Sequence, residues 1–285
     1  MTLLVDVGNS AIKWTQMSTD GTLSAAQRQL HRSVSGIAPR LVDQWRDTVT
    51  QGAAVVACNV GGPAVVAAVE EAAHALHLKP VCWLRTQRGF NGSMAGGSIA
   101  LVNGYKNPAQ LGADRWHCML GACATSNPQR AADSFVVVNA GTATTADCVE
   151  VDKGEGSEAR FSGKFIGGVI APGVRLMLES LARQTAGLPA ADADLTDNAA
   201  DFPDNTDTAI ITGVLDAQVG LIDRIWRRFA ARLQTEPRLI LTGGHAEALS
   251  ARLPRAADIE HNLVLRGLAL RAQFDSSKDS LKLQL

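Results

Sequence analysis

The sequence predicts an α/β protein built from two related halves, and three observations carry that reading. The stretch Leu3-Leu4-Val5-Asp6-Val7-Gly8-Asn9-Ser10 returns in altered form as Val136-Val137-Val138-Asn139-Ala140-Gly141-Thr142-Ala143. Each copy is an apolar strand that ends in a polar residue and one spacer, followed by Gly and a small polar cluster. Strand signals also alternate with helix signals along the chain, and the duplication spans about half its length, with no short-period repeat. Finally, 46% of the 285 residues are hydrophobic and 19% charged, which supplies a large core and excludes global disorder. This length suits one large or two ordinary domains. The recurrence places the division between residues 1–115 and 116–285.

The elements follow in order. Residues 2–7 read as a strand, and Ala11 to Met17 alternates like a hairpin partner across the short Gly8-Asn9-Ser10 loop. Residues 53–58 form an apolar strand that runs into Asn59-Val60-Gly61-Gly62-Pro63, with a helix from Ala64 to Leu76 begun near Pro63. Residues 80–84 give a short strand. The segment Arg88 to Ala100 is rich in Gly and lacks helical periodicity, so it reads as a mobile or ligand-covering loop. A helix then carries Trp116, Met119, Leu120 and Cys123 as one apolar face. The second half restarts at Ser134 and continues through Lys164–Gly173 into a helix over Val174–Gln184. Residues 190–207 read as an exposed connection. A helix near 208–233, a strand at 238–242 ending in Gly243-Gly244, and a helix near 261–273 complete the chain, with fraying expected after Asp275.

Composition excludes several function classes. The net charge of −1 gives no support to nucleic-acid binding through a broad basic face. The cluster Arg224-Ile225-Trp226-Arg227-Arg228 reads as the solvated side of an amphipathic helix. No apolar run reaches the roughly 18 residues needed to cross a bilayer. The first residues enter a strand with no basic region, apolar segment and cleavage site, so the expected location is cytoplasmic. Five cysteines without a C-x-x-C pair read as reduced, mostly buried thiols, and His74 and His77 as surface residues. The Walker pattern and the G-x-S-x-G elbow are both absent.

Two acids stand where chemistry is expected. A strand delivers Asp6 to a glycine loop, where a carboxylate either holds Mg²⁺ beside nucleotide phosphates or caps the turn. The second loop's recurrence favours the first role. Thr142, Thr144 and Thr145 beside Gly141 offer hydroxyls to a phosphate or substrate, or are ordinary strand residues. Asp114, in Leu111-Gly112-Ala113-Asp114-Arg115-Trp116, lies opposite the apolar stripe and is expected to point away from its helix's packed face. It is either a first-turn acid favoured by the helix dipole or a general base, with Arg115 nearby to bind an anion. Gly243-Gly244 is a plain turn or a nucleotide contact.

Taken in order, these pieces resemble the type III pantothenate kinases, a bacterial family that includes the Bvg accessory factor proteins. The resemblance rests on Asp6-Val7-Gly8-Asn9-Ser10 with Ile12-Lys13, on Asn103-Gly104-Tyr105 leading to Gly112-Ala113-Asp114-Arg115, and on Gly141 to Asp147. It continues through Gly167–Gly173, Asn205-Thr206 with Ala209-Ile210 and Gly213, Thr242-Gly243-Gly244 and Leu263–Leu268. Any one motif is weak; the ordered set, spanning about residues 2–270, is highly specific.

The resemblance implies duplicated ribonuclease-H-like halves of the actin/sugar-kinase/Hsp70-like kind, each with a central mixed sheet. It implies ATP-dependent phosphorylation of pantothenate, the first step of coenzyme A biosynthesis. Asp6 with Gly8, Asn9, Ser10 and Lys13 would engage Mg²⁺ and the ATP phosphates, joined by Gly141, Thr142, Gly243 and Gly244. Asp114 would be the general base on the terminal hydroxyl of pantothenate, with Tyr105, Gly112, Ala113, Arg115 and Thr206 binding that substrate. It further implies a homodimer, in which Thr206 reaches the partner's pantothenate site, and a monovalent cation, K⁺ or NH₄⁺. One departure stands out: the family usually has Asp where this chain has Asn139, which keeps a carbonyl oxygen but loses a charge. Two other functions remain compatible with the residues: a kinase of another small hydroxylated substrate, and a regulatory protein that binds nucleotide or pantothenate without turnover.

Overall fold

The computed structural model describes residues 1–31, 33–94, 97–125, 133–152, 159–184 and 200–282. The unbroken apolar run at the N-terminus becomes β1 (Thr2–Val7), in which Leu3, Leu4, Val5 and Val7 are fully buried. Burial on both faces requires an interior strand, and β1 has that place. It pairs antiparallel with β2 (Ala11–Met17), which pairs in turn with β3 (Gln27–Leu30). After α1 (Ile37–Arg46), β4 (Ala54–Asn59) lies parallel to the other side of β1. Then α2 (Pro63–Ala75), with Pro at its first position, leads to β5 (Val81–Trp83), parallel to β4. The sheet order is β3-β2-β1-β4-β5. Ile37, Leu41 and Trp45 of α1 and Val65, Val69 and Ala72 of α2 pack with Leu3, Val5 and Val7 in one core.

The glycine-rich segment expected to be a loop is a hairpin. β6 (Gly89–Met94) pairs antiparallel with β7 (Gly97–Asn103), with Phe90 opposite Leu101 and Gly92 opposite Ile99. Phe90, Ile99 and Leu101 are buried. A Cβ on Gly92 would lie 2.5 Å from the Phe90 ring and 2.9 Å from that of Phe274. The glycine therefore makes room for aromatic rings instead of conferring freedom. A short 3₁₀ turn (Pro108–Gln110) precedes α3 (Ala113–Thr125).

The second half repeats the first in topology. β8 (Phe135–Ala140) and β9 (Ala143–Val151) form a hairpin, and β9 pairs antiparallel with β10 (Ala159–Pro172). Next come α4 (Val174–Gln184) and α5 (Thr206–Leu233), after which β11 (Arg238–Thr242) lies parallel to β8. A one-turn α6 (Ala246–Ser250) leads to β12 (Asp258–Ile259), parallel to β11. Within a seven-stranded sheet, the run β12-β11-β8-β9-β10 has the first sheet's order again, with the same pattern of antiparallel hairpins and parallel crossovers. These are the two ribonuclease-H-like halves. Of the 190–207 connection, residues 190–199 lie outside the described residues.

α7 (Leu263–Lys282) closes the chain and runs past Asp275, where fraying was expected. It packs on α3 at glycine contacts: a Cβ on Gly121 would collide with the Leu263 carbonyl, and one on Gly267 with that of His117. The chain forms two compact units, Met1–Ala131 with Lys153–Ser162 and Asn262–Leu285, and Ala132–Asp152 with Gly163–His261. Both units are discontinuous in sequence. None of the five cysteines is in a disulfide, and four of them are buried. Arg224, Arg227 and Arg228 line the exposed side of α5 while Ile225 and Trp226 face its core, as expected. No helix among the described residues is long and apolar enough to cross a membrane.

The contact between α3 and α7 sets a test. Gly267→Ala should destabilise the protein by about 3 kcal/mol or more through overpacking. Gly220→Ala on α5, where a Cβ meets nothing, should stabilise it by about 0.5–1 kcal/mol. Urea unfolding of both variants checks the contrast.

Candidate functional site

Asp6 is the one polar interruption of β1, and the sheet register decides its neighbours. It lies directly across from Lys13 on β2 and Cys58 on β4, so three side chains of one row share a face. The Cys58 thiol donates to Asp6 Oδ1 at 3.7 Å. The protein crowds this carboxylate, and burial above all raises its pKa, against the charge of Lys13 and with that of Asp114, while the Cys58 thiol lowers it; the balance stands at about 6. Asp6 is thus an acid that remains mostly ionised at neutral pH, at a cost, with one lysine for counter-charge.

The turn after β1 is tight. Gly8 N–H donates to the Ala11 carbonyl (2.9 Å), and Val60 N–H to the Val7 carbonyl (2.9 Å). A Cβ on Gly61 would come within 2.5 Å of Gly8 O, so only glycine lets the loop after β4 lie against the turn. The Asn59 side chain fixes that loop by accepting the Gly61 N–H (2.9 Å).

Asp114 occupies the first turn of α3. Residues 115–123 are buried on every side, including Arg115 and His117, because α7 covers the flank that the periodicity left polar. Asp114 Oδ1 accepts the Arg115 N–H (2.8 Å) and would lie 2.6 Å from a Cβ on Gly112, which would itself be 3.9 Å from Val60. The carboxyl group therefore sits beside the loop that follows β4. Burial raises its pKa; the hydrogen bond from the Arg115 backbone and the Arg115 charge oppose this. Its charge acts on both Asp6 and Cys58. Two carboxylates, 108 positions apart in sequence, converge in a desolvated site.

Beside them, Arg115 donates to the Tyr105 hydroxyl (3.0 Å), and its guanidinium lies 5.7 Å from the centre of that ring. Buried Asn103 fixes the approach: its amide donates to the Gln87 carbonyl (3.1 Å) and its oxygen accepts the Tyr105 N–H (3.1 Å). An aromatic hydroxyl and a planar cation held this way suit a carboxylate ligand.

The second unit carries the remaining expected residues on its own loops. Asn139 has the position on β8 that Asp6 has on β1 and pairs with Thr145 and Thr242. In the β8–β9 turn Gly141 N–H donates to Ala143 O (3.2 Å), and Gly173 N–H to Thr142 O (3.0 Å). Thr144 and Thr145 are buried, which leaves Thr142 as the partly exposed hydroxyl of that cluster. Gly243 has φ +101°, and a Cβ there would lie 2.5 Å from Ala140 O, so this glycine is required by geometry. Thr206 is the exposed first residue of α5, where Asn205 caps the helix by accepting the Thr208 N–H (3.0 Å).

The sequence profile of the type III pantothenate kinases matches residues 2–228. The chain belongs to that family. Curated proteins named type III pantothenate kinase are similar along their whole length. One from Cupriavidus taiwanensis is 36% identical over 96% of this chain and 98% of its own, and one from Dechloromonas aromatica is 35% identical over 94% and 97%. Among solved structures, component A of (R)-2-hydroxyglutaryl-CoA dehydratase from Acidaminococcus fermentans aligns with TM-score 0.50 at 13% identity, covering 95% of this chain and 96% of its own. The ethanolamine utilization protein EutJ from Carboxydothermus hydrogenoformans aligns with TM-score 0.50 at 13% identity, covering 95% and 89%. At such identities the likeness is one of fold.

Sequence reading missed Cys58 and Gly61 as parts of this site. A signal for Gly61 was present: Asn59-Val60-Gly61-Gly62 ends the fourth strand of its half as Thr242-Gly243-Gly244 ends the fourth of the other. Cys58 gave none, since its relation to Asp6 exists only through β1–β4 register.

The raised pKa of Asp6 sets the sign of a stability effect. Folding favours the protonated acid, so stability is complete below about pH 4 and declines as pH rises through about 6. Without added metal, Asp6→Asn should be more stable than the parent at pH 8, by up to about 3 kcal/mol. The gap should close as pH falls to 4. Urea unfolding across that range measures it.

Proposed function

We propose that this chain transfers the terminal phosphoryl group of ATP to the primary hydroxyl of pantothenate, giving 4'-phosphopantothenate for coenzyme A synthesis. The observation that carries the reading is the convergence of Asp6 and Asp114 in one desolvated place, within a chain of the type III pantothenate kinase family. Phosphoryl transfer needs little covalent help from protein; it needs an aligned alcohol, a base and charge neutralisation. Asp114 accepts the proton of the alcohol. Burial raises its basicity, while the Arg115 N–H holds its orientation.

The residues present fit Mg²⁺. That ion takes one or two carboxylates and fills its remaining positions with water and phosphate oxygens, and no group of three metal-ligating side chains occurs among the described residues. Asp6 is the protein oxygen assigned to it. When bound, it neutralises charge building on the transferred phosphoryl group. Lys13 shares Asp6's row and is assigned to the phosphates with Gly8, Asn9 and Ser10. Gly141, Thr142, Gly243 and Gly244 are assigned to the nucleotide as well. Asn139 would offer a neutral oxygen to K⁺ or NH₄⁺. Pantothenate carries a carboxylate, and the Tyr105–Arg115 pair supplies the matching donors, with Gly112 and Ala113 beside Asp114. The same reading makes the protein a cytoplasmic homodimer, with Thr206 serving the partner's pantothenate site.

Purified protein with ATP, Mg²⁺, K⁺ and pantothenate should yield phosphopantothenate, detected by mass. Persistent failure, with ATP consumed only on another alcohol, would reject the substrate. Asp114→Asn should lower kcat at least ~100-fold; a near-normal rate would remove Asp114 from the base role. Because burial lifts the Asp114 pKa, kcat/KM should fall on the acid side at a pH above the ordinary carboxylate range. Asp6→Asn should raise the Mg²⁺ concentration needed for half-maximal rate, and an unchanged requirement would count against its assignment.

A further inference from the structure

The turn between β1 and β2 is gripped by a residue 23 positions away. His31, directly after β3 and only 8% exposed, points its ring at the turn, with Nε2 lying 3.1 Å from the Gly8 carbonyl oxygen. A carbonyl only accepts, so this nitrogen carries the proton. The main-chain N–H of the same residue donates to the Ser10 carbonyl at 3.0 Å. One histidine thereby brackets Asn9 from both sides.

Peptide planarity gives the first contact a consequence. In a trans peptide the C=O of one residue and the N–H of the next point in opposite directions. With Gly8 O held by the His31 ring on one side and packed against Gly61 on the other, the Asn9 N–H is fixed pointing away from His31. A backbone N–H aimed outward from a glycine turn is a donor for phosphate oxygens.

We infer that His31 is a positioning residue for nucleotide binding, acting through the Gly8–Asn9 peptide without touching the ligand. The inference rests on the assignment of Gly8, Asn9 and Ser10 to the ATP phosphates. Cys58 and Lys13 act on the Asp6 side chain; His31 acts on the main chain of the turn that follows it.

The test compares His31→Leu, which removes the ring donor, with His31→Gln, whose amide reaches to about the same distance. Binding of Mg²⁺ with a non-hydrolysable ATP analogue is read by calorimetry, and KM for pantothenate in the kinase assay. His31→Leu should weaken analogue binding about three- to tenfold, the worth of one hydrogen bond, with pantothenate KM unchanged, and His31→Gln should recover most of the loss. Hydrogen exchange in ligand-free protein should show faster exchange in the peptide spanning residues 8–10 for His31→Leu only. This measurement stands without any ligand. Analogue binding equal to the parent, or equal weakening towards both substrates, would overturn the inference. If His31→Leu does not accumulate, His31→Asn, too short to reach Gly8 O, takes its place. A parent protein that binds the analogue but fails to phosphorylate pantothenate would reject the substrate assignment and leave the His31 comparison readable.

Discussion

The site depends on the unfavourable burial of a negative charge at Asp6. A carboxylate near the middle of a five-stranded sheet, with a second carboxylate close by, would ordinarily neutralise itself by taking up a proton. Burial and Asp114 push in that direction, while Lys13 and the Cys58 thiol restrain it, and the balance falls at about 6. Such a group has a standing affinity for cations. The surrounding geometry preserves this poise: the tight β1–β2 turn and the glycine loop after β4 crowd the acid without supplying a second lysine or arginine to quench it.

The same balance explains the main-chain economy around the acid. Gly8 and Gly61 approach so closely that a single methyl group on Gly61 would force the loop away. Two adjacent turns, one after β1 and one after β4, meet where parallel strands end side by side, and this edge is where open α/β sheets place their ligands. Asp114 arrives at the same place from α3, whose position is set by the glycine-mediated crossing with α7. Helix packing at Gly121 and Gly267 and carboxylate placement at Asp114 are therefore one constraint seen at two ends of a helix.

Most of the fold and about half of the site were legible in the sequence, and the boundary between the two is physical. β1 and β8 announce themselves because central strands buried on both faces need unbroken apolar runs, and Asp6 and Asn139 are conspicuous because they interrupt such runs. The helix over Val174–Gln184 was readable from its own period. What depends on distant partners was not. The 89–103 hairpin hid because Gly92, read as freedom, answers to the rings of Phe90 and Phe274, the latter far along the chain. The second packed flank of α3 was not legible, because it is covered by a helix that begins at Leu263. Cys58 and His31 carry no local signature at all; register and a loop crossing give them their places.

The two halves share one topology but differ in charge, and the difference bears on the departure at Asn139. In the first half, Asp6 faces Lys13 across the hairpin, so the row contains its own counter-ion. In the second, the residues in the matching positions are Thr145 on β9 and Thr242 on β11, both buried and both neutral. An aspartate at 139 would have no cation in its row. Asparagine carries no charge to be balanced and retains an oxygen able to accept a hydrogen bond or meet a weakly held cation. The turn of the first half thus has Asp6 and Asp114 beside it, and the turn of the second is a neutral, hydroxyl-lined copy.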